Sequence, residues 1–356
     1  MKALIFDPYL RTMGGGERYV LGVAQALEQL GYEIYFAYHH QKTLERSKRR
    51  FGVDISTYKL DPETFHLFKH HGSLLKKYLV TNKYDFIFFV SDGSIPFLFG
   101  KKNYIHFQVP FTNYSFFNLI TLPLKNLFIT RFIYNSIFTK RVVEKRLKTH
   151  KSIVIYPPID ITAFKNSTVK DNIILSVGRF DSPSHSKRFD VLIRAFKLLY
   201  KKNKSQKLIV AGGLKGDFGK VTLRELKLQA EKYPVTFIVN PSYSELIKLY
   251  AKSKIYWHAA GYDIDEDVSP ELVEHFGIST VESMASGCVP VVINKGGQKE
   301  IVTSKSGFLW DTLNELVNCT LNLLSDEKFL KRMSKGAILR SKKFDIERFN
   351  QKITSI

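Results

Sequence analysis

Short apolar runs alternate along the chain with longer stretches in which apolar residues recur at helical spacing. In the first half, Ala3–Phe6, Glu33–Tyr38, Phe86–Val90, Tyr104–Phe107, Arg131–Tyr134 and Ile153–Tyr156 predict strands. Val20–Leu30, Leu67–Leu79 and Lys140–Leu147 predict helices, with Gly31 as a stop signal after the first. Such alternation builds a mostly parallel sheet covered by helices. The paired prolines of Tyr156-Pro157-Pro158-Ile159-Asp160 suit neither a ladder nor a helix, so a linker is expected there, followed by the polar Lys165-Asn166-Ser167-Thr168. The pattern then restarts. Strands are predicted at Ile173–Val177, Lys207–Ala211, Thr236–Val239, Ile255–His258 and Val289–Ile293. Helices are predicted at Val191–Tyr200, Leu223–Lys232, Ser244–Lys252 and Val281–Ser286, and throughout the text after Trp310. The expected fold class is α/β, with two Rossmann-like doubly wound domains facing a cleft. One spans 1–160 and the other 161–345, with a last helix over 346–356 packing back toward the first. Ligands of such sheets bind beyond the C-terminal strand ends.

A chain of 356 residues suits two domains, and 44% hydrophobic with 24% charged residues is a globular composition. Cys288 and Cys319 lack the spacing of a zinc or redox site and read as buried thiols of a reducing compartment. The most apolar stretch, Phe116 to Phe138, is broken by Pro123, Lys125 and Arg131, and no run approaches the ~20 residues that cross a bilayer. A cytoplasmic protein is expected, with contact at the inner face of a membrane. The net charge of +21 sharpens that picture. Residues 1–165 hold 24 Lys and Arg against 12 Asp and Glu. Basic surface suits anionic lipid, nucleic acid or phosphorylated substrates. The segment Phe65–Leu79 mixes basic and large apolar residues at helical spacing, as a helix lying on anionic lipid would, or as an ordinary packing helix. No nucleic-acid-binding signature accompanies the charge, so no nucleic-acid partner is expected.

Four groups of residues could carry chemistry. Gly14, Gly15 and Gly16 follow the first strand and open the first helix, where backbone amides can approach an anion; a plain turn is the alternative. The end of strand two reads Tyr38-His39-His40, without the acidic residue of a nicotinamide site. Arg179 ends a strand, and Lys187-Arg188 precedes a helix; together they could clamp a diphosphate, or simply be solvated charge. The segment Glu274-His275-Phe276-Gly277-Ile278-Ser279-Thr280-Val281-Glu282 is the strongest signal. Gly277 argues for a loop at Glu274 and a helix from near Ser279, with the amides of Gly277 to Thr280 at its N-terminus. Ser279-x-x-Glu282 also fits a capping box, which would leave Glu282 a structural task. His106 ends a predicted strand, either as a catalytic group or as a core histidine. The remaining groups offer less. His39, His40, His66, His70, His71 and His185 lack metal-ligand spacing, and the acidic loop 263–267 reads as solvated, so no metal and no other cofactor is expected.

Taken in order, these motifs resemble the retaining glycosyltransferases of family 4, which have the two-domain GT-B fold. Asn135-Ser136 with Thr139-Lys140, Tyr156-Pro157-Pro158-Ile159-Asp160, Val177-Gly178-Arg179, Gly287-Cys288-Val289-Pro290 and Gly296-Gly297 extend the resemblance over nearly the whole chain. It implies a nucleotide-diphosphate sugar as donor and a glycan or lipid-linked acceptor. By resemblance, Arg179 and Lys187 neutralise the diphosphate, and Glu274 contacts the donor sugar. The Phe276–Thr280 loop touches sugar and phosphate, Glu282 holds the ribose hydroxyls, and His106 faces the reacting sugar. Gly14 to Gly16 form the loop near diphosphate and acceptor. A same-face, return-type displacement without metal would follow, since no carboxylate nucleophile is evident. The sequence departs from the family between Arg179 and Lys187, where Ser182-Pro183-Ser184-His185 lengthens the loop and leaves the phosphate cation open between Lys187 and Arg188. The wording around His258-Ala259-Ala260-Gly261 and Glu274 looks closest to mannosyltransferases that use GDP-mannose. The rival readings are a GT-B sugar-nucleotide epimerase, a non-catalytic subunit and a basic nucleic-acid binder.

Overall fold

The apolar runs of the first half form a single sheet of seven parallel strands in the computed structural model, ordered β3-β2-β1-β4-β5-β6-β7. Residues 13, 70–71, 150, 165–166, 168 and 181–186 lie outside the described residues, as do the side chains of 47–51. The Ser182–His185 insertion, His70, His71 and much of the polar stretch after the prolines therefore carry no structural account. The chain divides into two units. Unit 1 comprises Met1–Pro158 and Ile346–Ile356, and unit 2 is Ile159–Asp345.

Unit 1 runs β1 (Lys2–Phe6), α1 (Gly15–Gln29), β2 (Glu33–Ala37), α2 (Gln41–Phe51), β3 (Lys59–Leu60), α3 (Pro62–Lys69) and α4 (Leu74–Thr81). It continues through β4 (Phe86–Val90), β5 (Lys102–Phe107), α5 (Phe116–Lys125), β6 (Arg131–Tyr134), α6 (Ile137–Glu144) and β7 (Ser152–Val154). The single helix expected over Leu67–Leu79 is two. Thr64 donates both its amide N–H (3.0 Å) and its hydroxyl (2.7 Å) to Asp61 at the start of α3, which turns Phe65 and Phe68 into the core. Ser73 then caps a new helix by accepting from the Lys76 amide at 3.3 Å. Likewise, the apolar stretch after Ser115 is a ten-residue helix ending near Pro123, and among the described residues no helix is long and apolar enough to cross a membrane.

Unit 2 runs β8 (Asp171–Val177), α7 (Phe189–Lys202), β9 (Lys207–Gly212), α8 (Gly216–Ala230), β10 (Val235–Val239), α9 (Tyr243–Lys252) and β11 (Ser253–His258). After it come α10 (Ile278–Ala285), β12 (Val289–Ile293), α11 (Gln298–Ile301), β13 (Phe308–Trp310), α12 (Leu313–Ser325) and α13 (Glu327–Ser341). Its six parallel strands are ordered β10-β9-β8-β11-β12-β13. Trp257 and Trp310 are fully buried in its core. Lys170 gathers the carbonyls of Ala251 (3.0 Å), Ser253 (2.9 Å) and Ser286 (2.8 Å), tying the C-terminal ends of α9 and α10 to the start of β8. Cys288 is buried and donates to the Ser253 carbonyl, whereas Cys319 is only half-buried. The last helix, α14 (Ile346–Thr354), belongs to unit 1. Its Phe349 and Ile353 are buried, and Phe349 meets the ring of Tyr19 edge-on at 5.1 Å.

Candidate active site

Strand order reverses in unit 2 between β8 and β11, and the crevice at such a point is where doubly wound sheets bind ligands. Three polar side chains converge there. Lys187 reaches back across the end of β8, possible because residue 178 is glycine: a methyl group there would lie 2.5 Å from Lys187 Cγ. His258 is the last residue of β11. Glu274 comes from the loop before α10, and the Gly297 amide holds its carbonyl at 2.7 Å. Glu274 Oε2 bonds Lys187 Nζ and lies 2.9 Å from His258 Nε2.

The charges follow from this geometry. Burial pushes the Glu274 carboxyl up, but the Lys187 ammonium and the bonds from His258 and Lys187 overcome it and hold the group well below the usual carboxylate range. Burial pushes His258 down against the opposing pull of Glu274, which keeps the ring neutral near pH 7. An ionised carboxylate only accepts, so Nε2 of His258 carries the proton. The result is a fixed anion beside a fixed cation, with a neutral donor behind them.

Arg188 is committed elsewhere. Its backbone is left-handed, with φ of +50°, and its guanidinium donates to the Tyr262 carbonyl at 2.7 Å and to both oxygens of Asp190 at 3.1 and 3.2 Å. Of the two adjacent cations, Lys187 is the one that lies beside Glu274. Arg179 sits exposed just past β8.

The helix α10 starts at Ile278 with Gly277 as its N-cap, at φ +121°. Ser279 is thus inside the helix and cannot cap it, and the capping-box reading of Glu282 falls. Ser279 instead accepts from the Tyr256 hydroxyl at 2.7 Å, and Glu282 accepts from the buried Tyr250 hydroxyl at 3.2 Å. The Thr280 amide already donates to the Gly277 carbonyl at 3.1 Å, so Ile278 and Ser279 carry the helix-terminal N–H groups left for an anion. Thr280 is fully buried. The ring of Phe276 packs edge-on against Phe344 at 5.4 Å in the interior, so only its backbone is available to a ligand. Asp263, Asp265 and Asp267 of the loop 263–267 are exposed, as the sequence predicts, but Glu266 turns inward. Glu266 accepts from the Gly296 amide at 2.6 Å and pairs with Lys299, and Lys295 donates to the Ile264 carbonyl at 2.9 Å, bracing the turn that holds Glu274.

In unit 1, Gly15 and Gly16 form the first turn of α1, and the Gln108 amide donates to the Gly16 carbonyl at 3.1 Å. Glu17 reaches back to the Gly14 amide. Its charge, with burial as the larger cause, raises Asp7 to about 8. His106 is not at a surface. It is fully buried, stacked on Tyr19 at 4.1 Å and against Phe88 at 5.1 Å. Burial depresses its pKa to about 3, so it stays neutral, and the geometry gives no support to a role facing a sugar. His39, His40 and His66 do cluster, with ring centroids 3.8 Å apart between His39 and His40 and 6.0 Å between His39 and His66. Among the described residues, however, no group of three or more His, Cys, Asp or Glu is placed to hold a metal ion.

The family model for glycosyl transferases group 1 matches residues 159–340, and that for glycosyltransferase family 4 matches residues 13–163. The chain belongs to the group 1 glycosyl transferases. Three relatives illustrate the kinship of this glycosyltransferase. A Xenopus laevis GDP-Man:Man(3)GlcNAc(2)-PP-Dol alpha-1,2-mannosyltransferase is 29% identical over 193 residues, which cover 49% of this chain and 37% of that protein. The chain thus spans little more than a third of the frog enzyme. A Dictyostelium discoideum protein of the same name is 23% identical over 93% of this chain and 79% of its own length. An uncharacterized glycosyltransferase of Haemophilus influenzae is 28% identical over 95% and 94%. Among solved structures, Anabaena HepE in complex with UDP and glucose superposes with a TM-score of 0.73 at 20% identity, covering 100% of this chain and 98% of that one. The two parallel sheets are those of the GT-B glycosyltransferases. Sequence reasoning missed His258 and Tyr250 as partners of the two glutamates. The only signal for His258 was its position at a strand end beside a small-residue turn.

Proposed function

We propose that the enzyme moves mannose from GDP-mannose to a hydroxyl of a glycan or lipid-linked acceptor, with retention of anomeric configuration and without a metal ion. The observation that carries this reading is the Lys187–Glu274–His258 cluster beside the N-terminus of α10, at the point where the sheet of unit 2 reverses. Lys187, with three donors, keeps Glu274 while giving a bond to the diphosphate, and Arg179 and the Ile278 and Ser279 amides add to the neutralisation of the leaving group. These fixed positive groups do the work otherwise asked of a metal. Glu274, ionised and oriented from two sides, accepts from a sugar hydroxyl. Glu282 accepts from the ribose hydroxyls, with Tyr250 fixing its second oxygen. The acceptor hydroxyl attacks the anomeric carbon from the face that the diphosphate leaves, and the departing phosphate oxygen takes its proton. The names of the frog and slime-mould relatives support the GDP-mannose donor and a PP-Dol-type acceptor.

A thermal-shift panel of GDP, UDP and ADP with their sugars tests the donor, because ligands of the native state raise its apparent stability. GDP and GDP-mannose should raise the transition, and UDP-sugars should not. A response to UDP-glucose alone would replace mannose by glucose in the reading, and no response to any nucleotide would remove it. Release of GDP only when acceptor is added separates a transferase from an epimerase.

A further inference from the structure

Unit 1 carries an apolar surface that its own fold leaves uncovered. On α4, Leu75 and Leu79 are 67% and 59% exposed; on α5, Phe116, Phe117 and Ile120 are 77%, 68% and 59% exposed, and Leu127 just beyond is 78% exposed. The two helices are joined by a chain of rings. Tyr78 of α4 meets Phe99 at 5.5 Å, and Phe99 meets Phe128, past the end of α5, at 5.0 Å. Large apolar side chains exposed singly need no explanation, but a contiguous group does.

The charge on the two helices themselves is one-sided: residues 64–84 and 93–143, which contain them, hold no Asp or Glu. Lys69, Lys83 and Lys101 answer acids outside those stretches, Asp92, Asp61 and Asp85, so the basic residues that α4 adds beside the apolar face are Lys76 and Lys77. Lys125 sits over the rings of Phe97 and Phe117, at 5.5 and 5.4 Å, and donates to Asn118 at 2.9 Å. Its own burial, then the charge of Lys77, depress it to about 8.

We infer that this α4–α5 face is the membrane-docking surface of the protein, and that its occupant is a bilayer containing anionic lipid. The surface differs from the amphipathic helix expected over Phe65–Leu79, of which Phe65 and Phe68 point into the core. A bilayer offers what the face requires: an apolar phase for Phe116, Phe117, Ile120, Leu75, Leu79 and Leu127, and a negative headgroup layer for Lys76 and Lys77. A second copy of the chain fits worse. Symmetric pairing would place α4 against its own copy and bring Lys76 and Lys77 to the same lysines of the other chain. Neither helix is long enough to span, so the face lies in the headgroup boundary. The inference is independent of the sugar donor.

Vesicle flotation with the full chain tests it, using phosphatidylcholine vesicles and phosphatidylglycerol vesicles at two salt concentrations. The protein should float with phosphatidylglycerol, less at high salt, and little with phosphatidylcholine. Phe116→Ser/Phe117→Ser should lower the bound fraction at least about tenfold, because two inserted rings supply much of the apolar transfer. Both rings are exposed, so the variant should keep its circular dichroism and melting temperature. Lys76→Gln/Lys77→Gln should narrow the difference between the two lipids. Equal recovery with both lipids, no recovery with either, or full flotation of the folded double-serine variant would overturn the proposal. Concentration-dependent dimerisation that the double-serine variant abolishes, without vesicle binding, would assign the face to a second copy instead.

Discussion

Lys187 and Arg188 are adjacent cations that the structure gives opposite tasks, and their alanine variants should separate them. Lys187→Ala removes the ammonium that lies on Glu274 beside the helix-terminal amides. The loss of one charge-assisted bond to a diphosphate is worth about 1.5–3 kcal/mol, or roughly 10- to 150-fold in Kd. A second effect adds to it in the same direction. Without Lys187, the Glu274 carboxylate faces the phosphates unneutralised, so part of the loss should be recovered on lowering the pH as Glu274, no longer held down, takes up a proton. Arg188→Ala removes the bonds to Asp190 and to the Tyr262 carbonyl. That change should lower the melting temperature by a few degrees, about 2–4 °C per kcal/mol for a unit of this size, and leave nucleotide affinity within about twofold. Isothermal calorimetry with GDP and UDP, beside thermal melts of both variants, reads all three quantities. Unchanged affinity in Lys187→Ala together with a large loss in Arg188→Ala would refute the assignment.

The two glutamates should part in kinetics. Glu274→Gln should cut kcat by about 100-fold or more, the size found for single electrostatic groups at reacting centres, while Glu282→Gln should mainly raise the donor KM, since Gln still accepts from Tyr250; full kcat in the first variant would remove Glu274 from the chemistry. His106 should destabilise the fold in acid. Its depressed folded-state pKa, about 3 against an ordinary 6.5, means the unfolded chain binds the extra proton, so this stabilisation is complete above pH 6.5 and is lost as pH falls toward 3, at up to about 1.4 kcal/mol per pH unit. Denaturant titrations at pH 7 and 5 on wild type and His106→Phe check this, the variant having the flatter dependence.

The alternation of periods gave away the α/β class because apolar strands and amphipathic helices are local patterns. Elements lacking that pattern stayed hidden. The helix α2, with the sequence Gln-Lys-Thr-Leu-Glu-Arg-Ser-Lys-Arg-Arg-Phe, has too few apolar residues to show a face, and α5 is apolar nearly all round and carries Pro123. At the site, Glu274 stood out because a carboxylate in a glycine-containing loop has no capping task, whereas Glu282 stood beside a capping-box reading that only the observed N-cap at Gly277 removes. His258 did not stand out, because its meaning comes from a carboxylate sixteen positions away, brought near by the turn that Glu266 and Lys299 brace. The same limit applies to His106. A histidine at a strand end reads alike whether it meets a substrate or the ring of Tyr19, and only packing tells the two apart.

The membership of α14 in unit 1 has a consequence for the order in which the chain matures. Unit 2 is one uninterrupted segment, Ile159–Asp345, and everything it needs has been synthesised before the codons for α14 are read. Unit 1 begins first but receives Phe349 and Ile353 last. Unit 2 can therefore reach its native state without α14, while unit 1, until α14 docks, exposes the face of α1 that these residues cover, open to non-native partners. A chain truncated after residue 345 should display a protease-resistant unit 2 tethered to a protease-sensitive unit 1, and restoring residues 346–356 should protect both.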